Sequence, residues 1–445
     1  MTPADMSARD LARAVTQGEI TPQKIAAATL AVAQAKNPAL NAICLFNPEF
    51  EAEAEAIATR LAAGETLPLA GVPVVIKDNI WVKGLRIAQG SKLFETFIAP
   101  EDAHAVTLLR QAGAMVLGIS TCSEFACKGA TFSPLHGITR NPVDVTLTPG
   151  GSSGGAVAAV AAGIVPLALG TDAGGSSRRP PAHVGIVGLK PTLDLVPYGL
   201  GFDEPVCAIS VICPIARDMG DIALAMEVLT GVTPTPPPQI HLAASPDFGT
   251  GQALEPDVVR NFQRAMEIVR TSGGTTQDAE INWPKNTAGS DILPLQWAGL
   301  AHFYGAQWRE TPDLFDPDIA TQLATGMSLT GAEVAAAHQA SHRMRQTLRS
   351  ALARYGVIAT PTTPCPAWPA DQQAPSLIAG QPTNPRGHAA FTPQINHAGV
   401  PAISIPCGTD SNGLPLGLQL IADVGFDAQL MGIAMALEPL LKELG

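Results

Sequence analysis

Residues 148–191 constrain this chain more than any other stretch. Side chains nearly vanish there: Pro149-Gly150-Gly151-Ser152-Ser153-Gly154-Gly155 opens an Ala/Val run that ends at Gly170, and Thr171-Asp172-Ala173-Gly174-Gly175-Ser176-Ser177-Arg178-Arg179-Pro180-Pro181 follows. Two Gly/Ser loops therefore bracket one small-residue helix and a short strand expected over 165–169. Small side chains let backbone approach backbone, or a substrate, closely. Such density weakens local structure, and a chain that breaks its own folding rules in one place marks a candidate site there.

Around this centre the pattern alternates. Residues 6–35 and 50–63 carry apolar positions at helical spacing. Ala70-Gly71-Val72-Pro73-Val74-Val75-Ile76-Lys77 is a continuous apolar run after a turn signal, which predicts a buried strand of a parallel or mixed sheet. A helix over 104–114 and a strand over 115–119 follow. Later come helices over 254–273, 318–325 and 330–355, strands over 357–359, 402–406 and 417–422, and a closing helix over 427–443. This order predicts a layered α/β fold. The Pro-rich connector Thr233-Pro234-Thr235-Pro236-Pro237-Pro238 is read as the start of a variable lobe, roughly 233–345, on one domain spanning 1–445.

Hydrophobic residues make up 46% of the 445 and charged ones 15%, the balance of a globular chain. A formal charge of −12 argues against nucleic acid or an anionic membrane as partner, since both repel an acidic surface. No apolar leader opens the sequence, and its longest apolar stretch, 156–170, falls short of the ~20 residues a membrane-spanning helix needs. The seven cysteines are odd in number and form no C-x-x-C pair, which fits reduced thiols in a cytoplasmic protein. His338 and His342 lie one helical turn apart without the Glu of a zinc-protease motif between them, so neither metal nor other cofactor is expected. The expected partner is a small-molecule substrate, with the chain a monomer or homodimer.

A serine nucleophile needs a base, donors for the oxyanion and open backbone. Ser176 follows Asp172-Ala173-Gly174-Gly175, where the amides of Ala173, Gly174, Gly175 and Ser176 can point into a pocket. Lys77 ends an apolar strand, where burial disfavours the ammonium and turns a lysine into a base. Taken singly, a Gly-Gly-Ser turn is more often structural, and a strand-end lysine more often snorkels or pairs with a neighbour such as Asp78.

The motifs together resemble the amidase signature hydrolases. The ordered set includes Gly71-Val72-Pro73, Lys77-Asp78-Asn79, Gly90-Ser91, Ala112-Gly113-Ala114, Ser123-Glu124-Phe125-Ala126, Asn141-Pro142, the two Gly/Ser loops, Gly188-Leu189-Lys190-Pro191-Thr192, Asn396 with Gly399-Val400-Pro401-Ala402, and Gly413-Leu414-Pro415-Leu416-Gly417-Leu418-Gln419. The resemblance covers nearly the whole chain. It implies a large twisted mixed sheet with helices on both faces, and a Ser–Ser–Lys triad of Ser176 as nucleophile, Ser152 as relay and Lys77 as base. The relay precedes the nucleophile by two dozen positions in that family, which selects Ser152 over Ser153, and follows a cis peptide. Ser153 is then expected to help hold Lys77, while Asp172 and Arg178 brace the nucleophile loop. Ser177, Arg179, Pro181 and the stretch Gly118-Ile119-Ser120-Thr121 depart from the usual pattern and point to an individual pocket.

The implied reaction is hydrolysis of a carboxamide, anilide or carbamate (urethane), with ester cleavage as a side activity. Two rival readings stand beside it. The same motifs occur in the amidase subunit of the tRNA-dependent amidotransferase. Gly151-Ser152-Ser153-Gly154-Gly155 also satisfies the G-x-S-x-G elbow of α/β-hydrolase esterases, with Ser153 as nucleophile and His388 or His397 as partner. Trp297, Phe303 and Tyr304 are candidates for a pocket lining or for the core.

Overall fold

Val74, Val75 and Ile76 are wholly buried, and the strand they define organises the molecule. The computed structural model describes residues 3–444. In chain order the strands of its main sheet are β1 (Ile43–Phe46), β2 (Pro73–Lys77), β3 (Met115–Ser120), β4 (Leu167–Asp172), β5 (Val187–Lys190) and β6 (Val211–Ala216). The remainder are β7 (His241–Ala244), β8 (Thr275–Asp278), β9 (Ile358–Pro361), β10 (Ala402–Thr409) and β11 (Pro415–Ile421). Among the described residues they form one 11-stranded sheet in the order β1-β3-β2-β4-β6-β5-β10-β11-β9-β7-β8. β2 runs parallel to β3 and β4, whereas β4, β6, β5, β10, β11 and β9 pair antiparallel in succession. The sheet is therefore mixed, and its central strands are buried on both faces, as the resemblance implies.

The small-residue centre is explained by packing. Helix Gly154–Ala161 lies against β2, β4 and β6. A Cβ on Gly155 would sit 2.5 Å from Thr121 N and 2.6 Å from Ala42 O, so only glycine lets the helix approach this closely. The strand expected over 165–169 starts two residues later, after Pro166, and continues to Asp172, so that it delivers the second Gly/Ser loop directly.

Several expectations shift. The helical pattern over 6–35 is two helices, Ala8–Thr16 and Pro22–Leu40, because Thr21 caps the second with its side chain and Pro22 occupies its first turn. Helix Leu293–Glu310 escapes a periodicity reading because apolar and aromatic residues surround it on all sides. Strands β7 and β8 escape it for being short, and β8 is polar throughout. Both extend the main sheet, so part of the stretch 233–345 is continuous with it, while Leu293–Glu310 and Pro317–Ser328 pack on each other. No helix among the described residues is long and apolar enough to cross a membrane.

Candidate active site

Two strand ends and two loops converge on one point. β2 ends at Lys77, β4 ends at Asp172, and the loops 148–153 and 173–178 fold over them. Lys77 is wholly buried. Its Nζ lies 2.7 Å from Ser152 Oγ, 2.9 Å from Ser153 Oγ and 2.9 Å from Thr171 Oγ1, with the Thr171 carbonyl at 3.4 Å. Among the described residues no carboxylate pairs with it. Burial lowers its pKa from the usual lysine range to about 8, against a smaller opposing pull from Cys122 and Asp172. The Gly151–Ser152 peptide is cis, as the resemblance implies.

Ser176 is 6% exposed and lines a cavity of about 440 Å³ together with Ala173 and Gly174. Ser152 and Ser176 also face a second, narrower cavity. Ser176 Oγ makes no hydrogen bond among the described residues, so its hydroxyl is free to turn toward Ser152 or a ligand.

The loop carrying Ser176 is held from beneath by Asp172. Its Oδ1 accepts from Gly175 N–H at 2.7 Å, Arg178 Nη2 at 2.9 Å and Asn396 Nδ2 at 2.9 Å; Oδ2 accepts from Ser177 N–H at 3.1 Å and Arg178 Nε at 3.0 Å. Burial alone would raise this carboxyl's pKa, but Arg178 and these donors hold it well below the usual carboxylate range. Arg178 reaches further, to Gln419 Oε1 at 2.9 Å and Asn396 Oδ1 at 2.5 Å. Asp172 and Arg178 thus sit where bracing residues should. Of the four amides expected to face an oxyanion, Gly175 N–H is instead engaged by Asp172, while those of Ala173, Gly174 and Ser176 make no hydrogen bond among the described residues. Gly175 is nonetheless required, since its φ is +109° and a Cβ there would lie 2.3 Å from Thr392 Oγ1 and 2.7 Å from Arg179 Nε.

Other candidates fall elsewhere. Ser153 is wholly buried, contacts Lys77 and donates to Thr171 O at 3.1 Å, so it belongs to the lysine's cage and cannot serve as an exposed elbow nucleophile. His388 Nδ1 accepts from Arg179 Nη1 at 2.9 Å, and His397 Nδ1 lies 2.8 Å from Ser341 Oγ; neither forms a hydrogen bond with Ser153. Tyr304 stacks on Phe125 with centroids 4.1 Å apart inside a small core, and neither it nor Trp297 nor Phe303 lines the large cavity, where Trp283 appears instead. The Cys122 and Cys127 thiols are buried and pushed up, Cys127 to about 12. Cys44, Asp78 and His136 bring possible metal-ligand atoms within 4.8 Å of one another. Asp78 is already bound by the N–H groups of Ala88 and Gly90 at 2.8 and 2.9 Å, which reads as a clasp on the loop after β2.

The sequence reading missed Thr171, which joins Lys77 to Asn79 Nδ2 at 3.0 Å, and Asn396 and Gln419, which close the Arg178 network from the C-terminal part of the chain. Asn396 and Gln419 carried a signal only as members of motifs.

The fold and this arrangement define an amidase-signature amidohydrolase. The profile of the family described as Amidase matches residues 24–431, and the chain belongs to that family. It is 34% identical to a glutamyl-tRNA(Gln) amidotransferase subunit from Deinococcus deserti, over 97% of this chain and 96% of that protein. The corresponding subunit from Thermus thermophilus is 33% identical over 97% of each. Among solved structures, 6-aminohexanoate cyclic dimer hydrolase in complex with its substrate is 26% identical, with a TM-score of 0.86 over 98% of this chain and 97% of that one.

Proposed function

We propose that this protein hydrolyses a small amide or carbamate through an acyl-enzyme on Ser176. The observation that carries the reading is the cage of Lys77: a buried amine near pKa 8 whose hydrogen-bond partners are three hydroxyls and one carbonyl. An amine so placed is substantially neutral at mildly basic pH and can accept a proton. In the first half-reaction the Ser176 proton moves to Ser152 as the Ser152 proton moves to Lys77. Ser176 Oγ bonds to the substrate carbonyl carbon, and the amides of Ala173, Gly174 and Ser176 receive the oxyanion. The C–N bond breaks as Ser152 protonates the departing nitrogen and Lys77 returns its proton to Ser152. Water then repeats the sequence on the ester, releasing the acid and restoring Ser176. An ester with a good leaving group needs no proton at departure and suits the same machinery.

The test is covalent trapping. Exposure to a serine-directed phosphonate, followed by peptide mass spectrometry, is expected to place one adduct on Ser176 and none in Ser176→Ala. An adduct on Ser153 contradicts the assignment. A second reading is favoured by the full-length similarity to glutamyl-tRNA(Gln) amidotransferase subunits: the chain would then work as one member of an assembly. Turnover of simple amides by the isolated chain, with no other protein and no RNA present, separates the two.

A further inference from the structure

Arg178 and Arg179 are adjacent in sequence and opposite in surroundings. Arg178 is neutralised by Asp172. Arg179 opens helix Arg179–Val184 and is 2% exposed. It donates to the neutral acceptor His388 at 2.9 Å and reaches Gly151 O only at 3.4 Å, and its Nε has no partner. Among the described residues no carboxylate pairs with it. It lines the large cavity beside Ser176, and so does Arg386. Arg386 is half-buried, its guanidinium contacts only Cys127 O at 3.4 Å, and it likewise has no acid among the described residues.

Of the other charges on this wall, Lys128 pairs with Asp316, while the Asp291 carboxylate accepts from Ala288 N–H within its own turn and forms no ion pair with either guanidinium among the described residues. Two guanidiniums in a low-dielectric wall without counter-ions are unfavourable, and their repulsion adds to the penalty. Burial first, and then Arg386, lower the Arg179 pKa to about 9. A bound anion relieves both effects. The position is close to the chemistry, because Arg179 Nε would lie 2.7 Å from a Cβ on Gly175, the residue before Ser176.

We propose that Arg179 and Arg386 form a carboxylate subsite, and that the substrate is the half-amide of a small dicarboxylic acid. Its amide carbonyl lies at the Ala173–Ser176 loop and its carboxylate, a short carbon chain away, between the two guanidiniums. Forked N–H donors suit such a bidentate anion. This proposal rests on the hydrolase reading for the place of the scissile bond.

The experiment is calorimetric titration of Ser176→Ala protein, which leaves the ligands uncleaved, with malonamate and succinamate against the neutral malonamide and succinamide. At least one half-amide is expected to bind about tenfold or more tighter than its diamide. Adding Arg386→Gln or Arg179→Gln is expected to reduce that preference about tenfold, while Arg386→Lys retains part of it. No preference for the anion, or a preference unchanged in both glutamine variants, overturns the subsite. Turnover by wild-type protein separates the two readings. Half-amides that bind with the expected arginine dependence but are not hydrolysed contradict the hydrolase and leave the subsite. Rapid hydrolysis of neutral amides without that dependence contradicts the subsite and leaves the hydrolase.

Discussion

Lys77 at the end of β2 and Lys190 at the end of β5 are two versions of the same physical situation. Each is wholly buried, each ends an apolar strand, and each has its pKa lowered to about 8, first by burial. Their neighbours differ. Lys77 Nζ is ringed by Ser152, Ser153 and Thr171, whereas Lys190 Nζ donates to the carbonyl of Pro191 at 2.7 Å. A neutral amine next to hydroxyls can exchange protons with them, while one against a carbonyl can only donate. Perturbed ionisation therefore marks candidates, and the partner atoms decide between them.

The comparison breaks most readily by removing each amine. Lys77→Met is expected to lower kcat/KM on an amide by about 10³-fold, within the range for general acid–base work. Lys190→Met is expected to change it less than about tenfold, because it acts only through packing. Comparable losses in the two variants would erase the distinction drawn here. Circular dichroism of both variants checks that each has folded.

A second, smaller effect sharpens it. Proton acceptance needs the neutral form of Lys77, so kcat/KM should climb with pH and level off above about 8. Lys190→Met should leave that inflection in place, and a shifted inflection would tie Lys190 to the chemistry. The smallest effect concerns stability, where the two lysines should behave alike. Their folded-state pKa values lie near 8, below the ~10.4 of an unfolded lysine. Between those values the unfolded chain holds more protons, so stability rises with pH and is flat for these groups below the window. Urea midpoints measured from about pH 8 to 10 should show a shallower rise in Lys190→Met than in wild type. An identical slope would mean that Lys190 is not desolvated as described.

Much of this was legible in the residues, for identifiable reasons. Val74-Val75-Ile76 before Lys77, and glycines before Ser176, are local patterns, and two members of the proposed triad lie on them. The cage around Lys77 needed Thr171, a residue with no local peculiarity, brought into place by the parallel pairing of β2 with β4. The bracing network needed Asn396 and Gln419, more than two hundred positions beyond Asp172, which only the order of strands across the sheet brings near. Arg179 stood out as a departure from the family pattern, but its lack of a counter-ion is a property of the cavity and cannot be read from the chain. The expected helices over 254–273, 318–325 and 330–355 are present, but Leu293–Glu310 was missed, since apolar residues on all its sides leave no polar stripe to set its phase.

The amide-to-ester ratio of Lys77→Ala against wild type tests the central claim most directly. Loss of the base removes both activation of Ser176 and protonation of the departing nitrogen, but an activated ester needs only the first. The ratio of amide to ester kcat/KM is therefore expected to fall by about tenfold or more, with no rescue in Lys77→Arg, whose guanidinium stays protonated. An unchanged ratio, or near-normal amide hydrolysis by Lys77→Arg, would contradict the assignment of Lys77 as the base.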